Sequence, residues 1–116
     1  DLKGRDVFVA TVGGLRAVEP ALDLAIVVAL ASSVRMAPVR PGLAAFGEVG
    51  LAGEVRGVRE LDRRLAEAAR LGGTTALVPV DVPKPPTGMT CVRVRDVSQA
   101  VAHACSSPGL ASRLGT

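Results

Sequence analysis

Few side chains in this sequence could carry out chemistry. A serine nucleophile needs a nearby base, and the adjacent serines Ser32 and Ser33 fall late in a long apolar segment. A serine–lysine pair requires an amine of lowered pKa that a rigid element holds against the hydroxyl. The two lysines are Lys3, at the fraying start of the chain, and Lys84, in a proline-rich loop. The pattern therefore predicts no peptidase site built from these residues.

Metal and phosphate chemistry are equally poorly represented. His103 is the sole histidine, and with Cys105 it makes a pair that lacks two further ligands for a tetrahedral zinc site. The glycine pair 13–14 is not followed by a Lys-Ser/Thr pair that opens a helix, so it indicates a hairpin turn rather than a phosphate loop. Cys91 and Cys105 have no motif around them, which is typical of reduced, buried thiols in a cytosolic protein. We expect no metal and no cofactor in this chain.

The segments that would position these residues alternate between strand and helix patterns. Residues 5–12 alternate bulky and small side chains, and after the glycine turn residues 15–19 predict an antiparallel partner. Pro20 suits the first turn of a helix over residues 21–36 that is apolar on almost every face and is therefore predicted to be buried. Further strands are predicted at 43–49, up to 58, at 75–80 and at 91–96, and further helices at 60–71 and 97–105. The order predicts an α/β (α+β) domain with a mixed sheet and about three helices.

The second predicted helix, over residues 60–71, is amphipathic. Its apolar stripe would face the core, and Gly72 would end it. Glu60 with Arg64, and Arg63 with Glu67, stand four residues apart on the polar side. This spacing predicts two ion pairs along the exposed face.

Length and composition limit the remaining possibilities. The chain has 116 residues, no Trp or Tyr and a formal net charge of +3. We interpret residues 1–105 as one domain and 106–116 as a flexible tail. The longest apolar run is interrupted by Asp23 and is too short to cross a bilayer, so we expect a cytoplasmic protein without a membrane contact. The arginine excess permits contact with nucleic acid without requiring it.

The succession DVFVATVGGLRAVEPALDLAIVVALASS, FGEVGLAGEVRGV, RLAEAARLGG and ALVP resembles the C-terminal Lon-protease-like domain of the bacterial RadA (Sms) family of DNA-repair proteins. The resemblance implies the fold of the Lon proteolytic domain, and it implies that strands of that domain normally precede DVFV. It places Ala21 where Lon has its serine nucleophile and Arg64 near the Lon lysine. Neither side chain can perform those roles, so the resemblance implies a pseudo-protease that is not an enzyme. The alternative is an active Ser-Lys peptidase of the Lon family.

The resemblance also implies partners. Proteins of this family are ATP-driven motors that act in DNA repair and recombination after DNA damage by promoting branch migration. ATP, Mg and Zn would bind other domains of the parent protein, and we expect none of them in this chain. The Lon-like domain would assemble as a homo-oligomer, a hexameric ring in the full-length protein. It would also bind branched, single- or double-stranded DNA without sequence preference.

Specific residues are candidates for these contacts. The phosphate-binding candidates are Arg16, Arg35, Arg40, Arg56, Arg59 and Arg63. For each of them, a solvated or ion-paired surface role remains the alternative. The subunit-interface candidates are Asp23, Glu48 and Glu54, although the stretch 46–56 is equally explained as a hairpin that the fold requires. Asp23 is predicted to cap or complement the positive end of the first helix, with an arginine of another subunit as the alternative partner.

Overall fold

The computed structural model describes residues 19–105. The helices are α1 (Asp23–Arg35), α2 (Leu61–Arg70) and α3 (Val97–Cys105), and a 3₁₀ turn (Pro20–Leu22) precedes α1. The strands are β1 (Leu43–Ala45), β2 (Glu48–Val49), β3 (Val55–Arg56), β4 (Thr75–Val78) and β5 (Thr90–Arg93). The predicted α/β class with three helices is confirmed. The predicted hairpin over residues 5–19 lies almost wholly outside the described residues, and the predicted tail 106–116 lies outside them.

The strands form two sheets in the described part of the chain. β1, β4 and β5 form a parallel sheet in that order, in which Ala76 lies between Ala44 and Cys91. β2 and β3 form an antiparallel hairpin, with Val49 opposite Val55. The predicted combination of parallel and antiparallel pairing is therefore present, divided between the three-stranded sheet and the hairpin.

The three-stranded sheet is covered on both faces. Because side chains alternate along a strand, Leu77 points to one face of β4 while Ala76 and Val78 point to the other. Leu77 belongs to a core with α1 and α3, and Ala76 and Val78 belong to a second core with α2. The sheet thus fixes α1 and α3 on one side and α2 on the opposite side.

Helix α1 differs from its prediction. Leu24, Val28 and Ser32 are buried at four-residue spacing, because only this face packs against the sheet and α3. Leu30 is 61% exposed and Val34 83% exposed. The prediction that α1 is buried all round is therefore wrong, and its C-terminal half presents apolar side chains to solvent.

The ion pairs of α2 also differ from their prediction. Glu60 pairs with Arg63, three residues away, instead of with Arg64. Glu67 pairs with Arg70 instead of with Arg63. Glu60 precedes the first helical residue and has a left-handed backbone with φ of 55°, so its side chain leaves the regular helical row. The predicted four-residue pairs are wrong, because Glu60 takes Arg63 and Glu67 pairs with Arg70 instead, while the prediction of an ion-paired polar face is confirmed.

Candidate functional site

The segment Phe46–Arg56 joins the hairpin to the start of α1. The amide of Gly47 donates to the carbonyl oxygen of Ala21 at 3.2 Å, and its own carbonyl accepts from the amide of Leu24 at 3.0 Å. A Cβ atom at Gly47 would lie only 2.7 Å from Cγ1 of Val55. Glycine is therefore required here because two backbones and a side chain approach the same point.

The turn of the hairpin explains the next two glycines. The amide of Gly50 donates to the carbonyl of Glu54 at 2.9 Å, and the amide of Gly53 donates to the carbonyl of Gly50 at 2.9 Å. Gly53 has a φ of +86°, a conformation that side chains disfavour. Leu51 and Ala52 form the exposed end of the turn. The glycines of FGEVGLAGEVR are therefore consistent with the geometry of this hairpin.

Glu54 and Arg56 form an ion pair on the hairpin. Nη2 and Nε of Arg56 donate to Oε2 of Glu54 at 2.6 and 3.1 Å, and the amide of Ala52 donates to Oε1 at 3.1 Å. Hydrogen bonds from its own backbone and from Arg56 lower the pKa of Glu54 below its usual value. Glu48 lies opposite Arg56 in the strand pair. Arg56, predicted as a phosphate contact, therefore already has a carboxylate partner within the chain.

Asp23 connects the hairpin to α1. Its Oδ2 accepts a hydrogen bond from the amide of Val49 at 3.1 Å rather than from an amide of the helix itself. The predicted capping bond is thus replaced by a bond to β2. The carboxylate still stands in the first turn of α1, where negative charge complements the helix dipole.

The two positions that the resemblance aligns with the Lon catalytic pair, Ala21 and Arg64, are connected through Glu19. Ala21 is buried in the 3₁₀ turn. From α2, the guanidinium of Arg64 donates to Oε1 of Glu19, two residues before Ala21, and to the carbonyl of Arg59 at 2.9 Å. The pair is half-buried, with 24% of the Arg64 side chain and 33% of the Glu19 side chain exposed. This ion pair connects the first turn of α2 to the residue that precedes the 3₁₀ turn and α1.

Other groups with chemical potential lie apart from this region. The Ser32 hydroxyl is buried and donates to the carbonyl of Ala37, whereas Ser33 is exposed. Lys84 is exposed in the loop 79–89, and Lys3 lies outside the described residues. His103 lies on the exposed face of α3. Among residues 19–105, no three His, Cys, Asp or Glu side chains are grouped to hold a metal ion.

The predicted phosphate-binding arginines fall into two groups. Arg56, Arg59 and Arg63 lie near the hairpin and the start of α2. Arg35 ends α1, and the Arg40 amide donates to the carbonyl of Ala104 at 2.8 Å, at the end of α3. Helix α1, whose start contacts the hairpin and whose last residue is Arg35, is about 20 Å long at 1.5 Å per residue. Arg16 lies outside the described residues, and the other five arginines do not form one cluster.

Two features were not predicted from the sequence. One is the Glu19–Arg64 pair, whose partners are 45 residues apart in the chain. Its only signal was a carboxylate directly before Pro20. The other is the charge distribution, because residues 24–47 contain arginines and no carboxylate. That signal was present in the sequence and can be read without a structure.

Proteins with related sequences are named DNA repair protein RadA. The chain is 44% identical over 100 residues to the protein of Mycolicibacterium smegmatis, 46% over 99 residues to that of Escherichia coli, and 40% over 103 residues to that of Bacillus subtilis. These alignments cover 84–86% of the chain and 22% of each relative. The chain therefore spans about a fifth of the length of the curated relatives it matches, and it is homologous to that part of them. No protein-family model matches the sequence.

No helix among residues 19–105 has the length and apolar character that a transmembrane span requires.

Proposed function

We propose that this chain is a non-catalytic, Lon-like module of a RadA-type DNA-repair protein, and that it assembles subunits and contacts DNA. The observation that carries the proposal is the homology to proteins named DNA repair protein RadA over most of the chain. In the parent protein the module would form a homo-oligomeric, hexameric ring. It would align motor domains that bind ATP, Mg and Zn and that drive branch migration in recombination.

The side chains at the two Lon-equivalent positions cannot support Ser-Lys catalysis. The methyl group of Ala21 cannot attack a carbonyl, and the guanidinium of Arg64 stays protonated at any ordinary pH. Arg64 is moreover held by Glu19, so its charge has a structural partner. We propose that this ion pair replaces the catalytic pair and keeps the shape of the region.

A peptidase assay tests this part of the proposal. The chain should leave a fluorescent casein substrate intact, with and without DNA. An active Ser-Lys peptidase would instead degrade casein and lose that activity in Ser32→Ala, which removes the one buried serine among residues 19–105. Ser33→Ala is the matched control, because Ser33 is exposed in the next position. Serine-dependent turnover would refute the pseudo-protease assignment.

DNA contact would be electrostatic and indifferent to sequence. The described residues contain no Trp or Tyr and one Phe, Phe46, which is buried, so stacking on bases has no platform there. Arg56 and Arg63 are paired with Glu54 and Glu60. Arg59 is exposed and makes no ion pair within residues 19–105, so it is the strongest phosphate contact near the hairpin.

Fluorescence anisotropy with labelled linear and branched DNA tests the DNA contact. Affinity should fall steeply between 50 and 200 mM salt, because each neutralised phosphate adds about 0.9 to the logarithmic slope. Arg59→Ala should weaken binding to every sequence and reduce that slope by about 1. Arg70→Ala is the matched control, since Arg70 is held by Glu67. Binding that is unchanged by salt would refute phosphate neutralisation.

A further inference from the structure

Two apolar surfaces of the described structure have no covering partner within residues 19–105. The first is the hairpin tip, Leu51 and Ala52, where Leu51 is fully exposed. The second is the apolar end of α1, defined by Leu30, Val34 and Met36, which are 61%, 83% and 88% exposed. Large apolar side chains that project together from a small domain mark a contact surface.

The two surfaces lie at opposite ends of α1. The hairpin is tied to the start of the helix by the bond from the Val49 amide to Asp23. The apolar end begins at Leu30 and continues past the last helical residue, Arg35. From Asp23 to Val34 the helix rises about 17 Å at 1.5 Å per residue. One copy of the chain therefore cannot place its own tip on its own apolar end.

The charges around the two surfaces are opposite. The hairpin and the helix start that it contacts carry three carboxylates and one arginine, namely Asp23, Glu48, Glu54 and Arg56. The stretch from residue 24 to residue 47 carries two arginines and no carboxylate. Arg35 is exposed directly beside Val34. An acidic, apolar knob is thus matched by a basic, apolar surface.

We propose that the hairpin tip of one copy of this chain seats on the apolar end of α1 in the next copy. Leu51 would pack between Leu30 and Val34, and Glu48 would face Arg35. Because the two surfaces differ, the contact is head-to-tail and leads to a ring if its rotation closes. This inference rests on the proposed assembly function and supplies the surfaces for it.

The backbone of Met36 agrees with a contact role. Met36 ends α1 in the left-handed conformation, with φ of 54°, at a position where glycine is the usual residue. A flexible, exposed thioether in that place adds contact area that glycine would not supply. DNA is a poorer match for the same surface, because phosphates bind cations and make no use of three apolar side chains.

Sedimentation velocity of the 116-residue chain over a range of concentrations tests the inference. Leu51→Gln and Val34→Gln should each weaken self-association at least about tenfold, as expected for central contacts. Leu71→Gln, which changes an exposed apolar residue at the end of α2, should have no effect. Circular dichroism should show that all three variants stay folded, since each site is exposed.

Mixing the two deficient variants gives the sharpest result. A Leu51→Gln chain retains an intact α1 surface and a Val34→Gln chain retains an intact tip, so an equimolar mixture should form a one-to-one dimer and nothing larger. A mixture that remains monomeric overturns the head-to-tail arrangement. Charge reversal adds a second measure: Glu48→Arg and Arg35→Glu should each weaken association, and mixing them should restore it, because the tip of each variant then meets an oppositely charged surface on the other.

The remaining outcomes separate this inference from the proposed function. If the wild-type chain associates and all of these variants associate equally, assembly stands and the assigned surfaces are wrong. If the wild-type chain stays monomeric at every concentration, the assembly function fails together with the inference. If Arg35→Glu lowers DNA affinity and leaves association unchanged, the basic end of α1 is a DNA surface and the inference is overturned. If Val34→Gln lowers the thermal stability of the monomer, the surface is covered by the chain itself, which also overturns it.

Discussion

Replacement of Gly47 by alanine should destabilise the domain by a predictable amount. The added methyl group would lie 2.7 Å from Cγ1 of Val55, and 3.4 Å from Cδ2 of Leu24. Forcing an extra methyl group into a packed site costs about 1–3 kcal/mol. The gain from a less flexible unfolded chain returns about 0.4–1 kcal/mol. We expect a net loss of about 1–2 kcal/mol in the free energy of unfolding.

Urea unfolding followed by circular dichroism measures this loss. Small domains have slopes of about 1–3 kcal/mol per molar urea, so the midpoint should fall by roughly 1 M. Val55→Ala removes the atom that the new methyl group meets. In the Val55→Ala background, Gly47→Ala should therefore cost almost nothing, which gives a coupling energy of about 1–2 kcal/mol between the two sites.

Two other glycines serve as controls. Gly57 has open space around its Cβ position and no positive φ, so Gly57→Ala should be neutral or stabilising by up to about 1 kcal/mol. Gly53 has equally open space but a φ of +86°, so Gly53→Ala should cost about 1–2 kcal/mol through backbone strain alone. Equal costs at Gly47 in both Val55 backgrounds would refute the steric explanation.

Three further predictions concern stability. Met36→Gly should raise the free energy of unfolding by about 0.5–1 kcal/mol, because it relieves the left-handed backbone strain at the end of α1. The measurement uses dilute protein, and no change or a loss of stability would contradict the prediction. Arg64→Ala and Glu19→Gln should each cost about 1 kcal/mol and show coupling in a double-mutant cycle, whereas additive losses would deny the ion pair. The pKa of Glu54 is lowered in the folded state by its own backbone amide and by Arg56. The stability that Glu54 contributes above pH 4.5 should therefore be lost as the pH falls through its folded-state pKa. Glu54→Gln should flatten this part of the acid unfolding curve, and an unchanged curve would contradict the shift.

Local sequence patterns predicted the elements that depend on neighbouring residues. The short apolar run at 75–80 predicted the buried strand β4, and the amphipathic period predicted α2. Glycines around a short apolar segment predicted the β2–β3 hairpin, and Pro20 predicted the start of the first helical segment. Each of these signals is contained within a few residues, so no tertiary information is needed to read it.

The features that were missed depend on contacts between distant residues. The strand that was predicted over residues 43–49 is interrupted at Phe46 and Gly47, because the Gly47 backbone bonds to Ala21 and Leu24 instead of to a strand. Arg64 has Glu60 four residues before it but binds Glu19, which the packing of α2 brings within reach. Periodicity alone could not show which face of α1 stays open, because apolar residues occupy both faces.

The hairpin holds the beginnings of two helices. The carbonyl oxygen of Gly47 accepts a hydrogen bond from the amide of Leu24 at the start of α1. The carbonyl oxygen of Gly53 accepts one from the amide of Val97 at the start of α3. A fluctuation that lifts the hairpin therefore has to break the hydrogen bonds at the starts of both helices at once. In native-state hydrogen exchange, the amides of Leu24, Val49 and Val97 should therefore open as a single cooperative unit with one free energy of opening. They should do so although Val97 lies 48 residues after Val49 and 73 residues after Leu24 in the sequence.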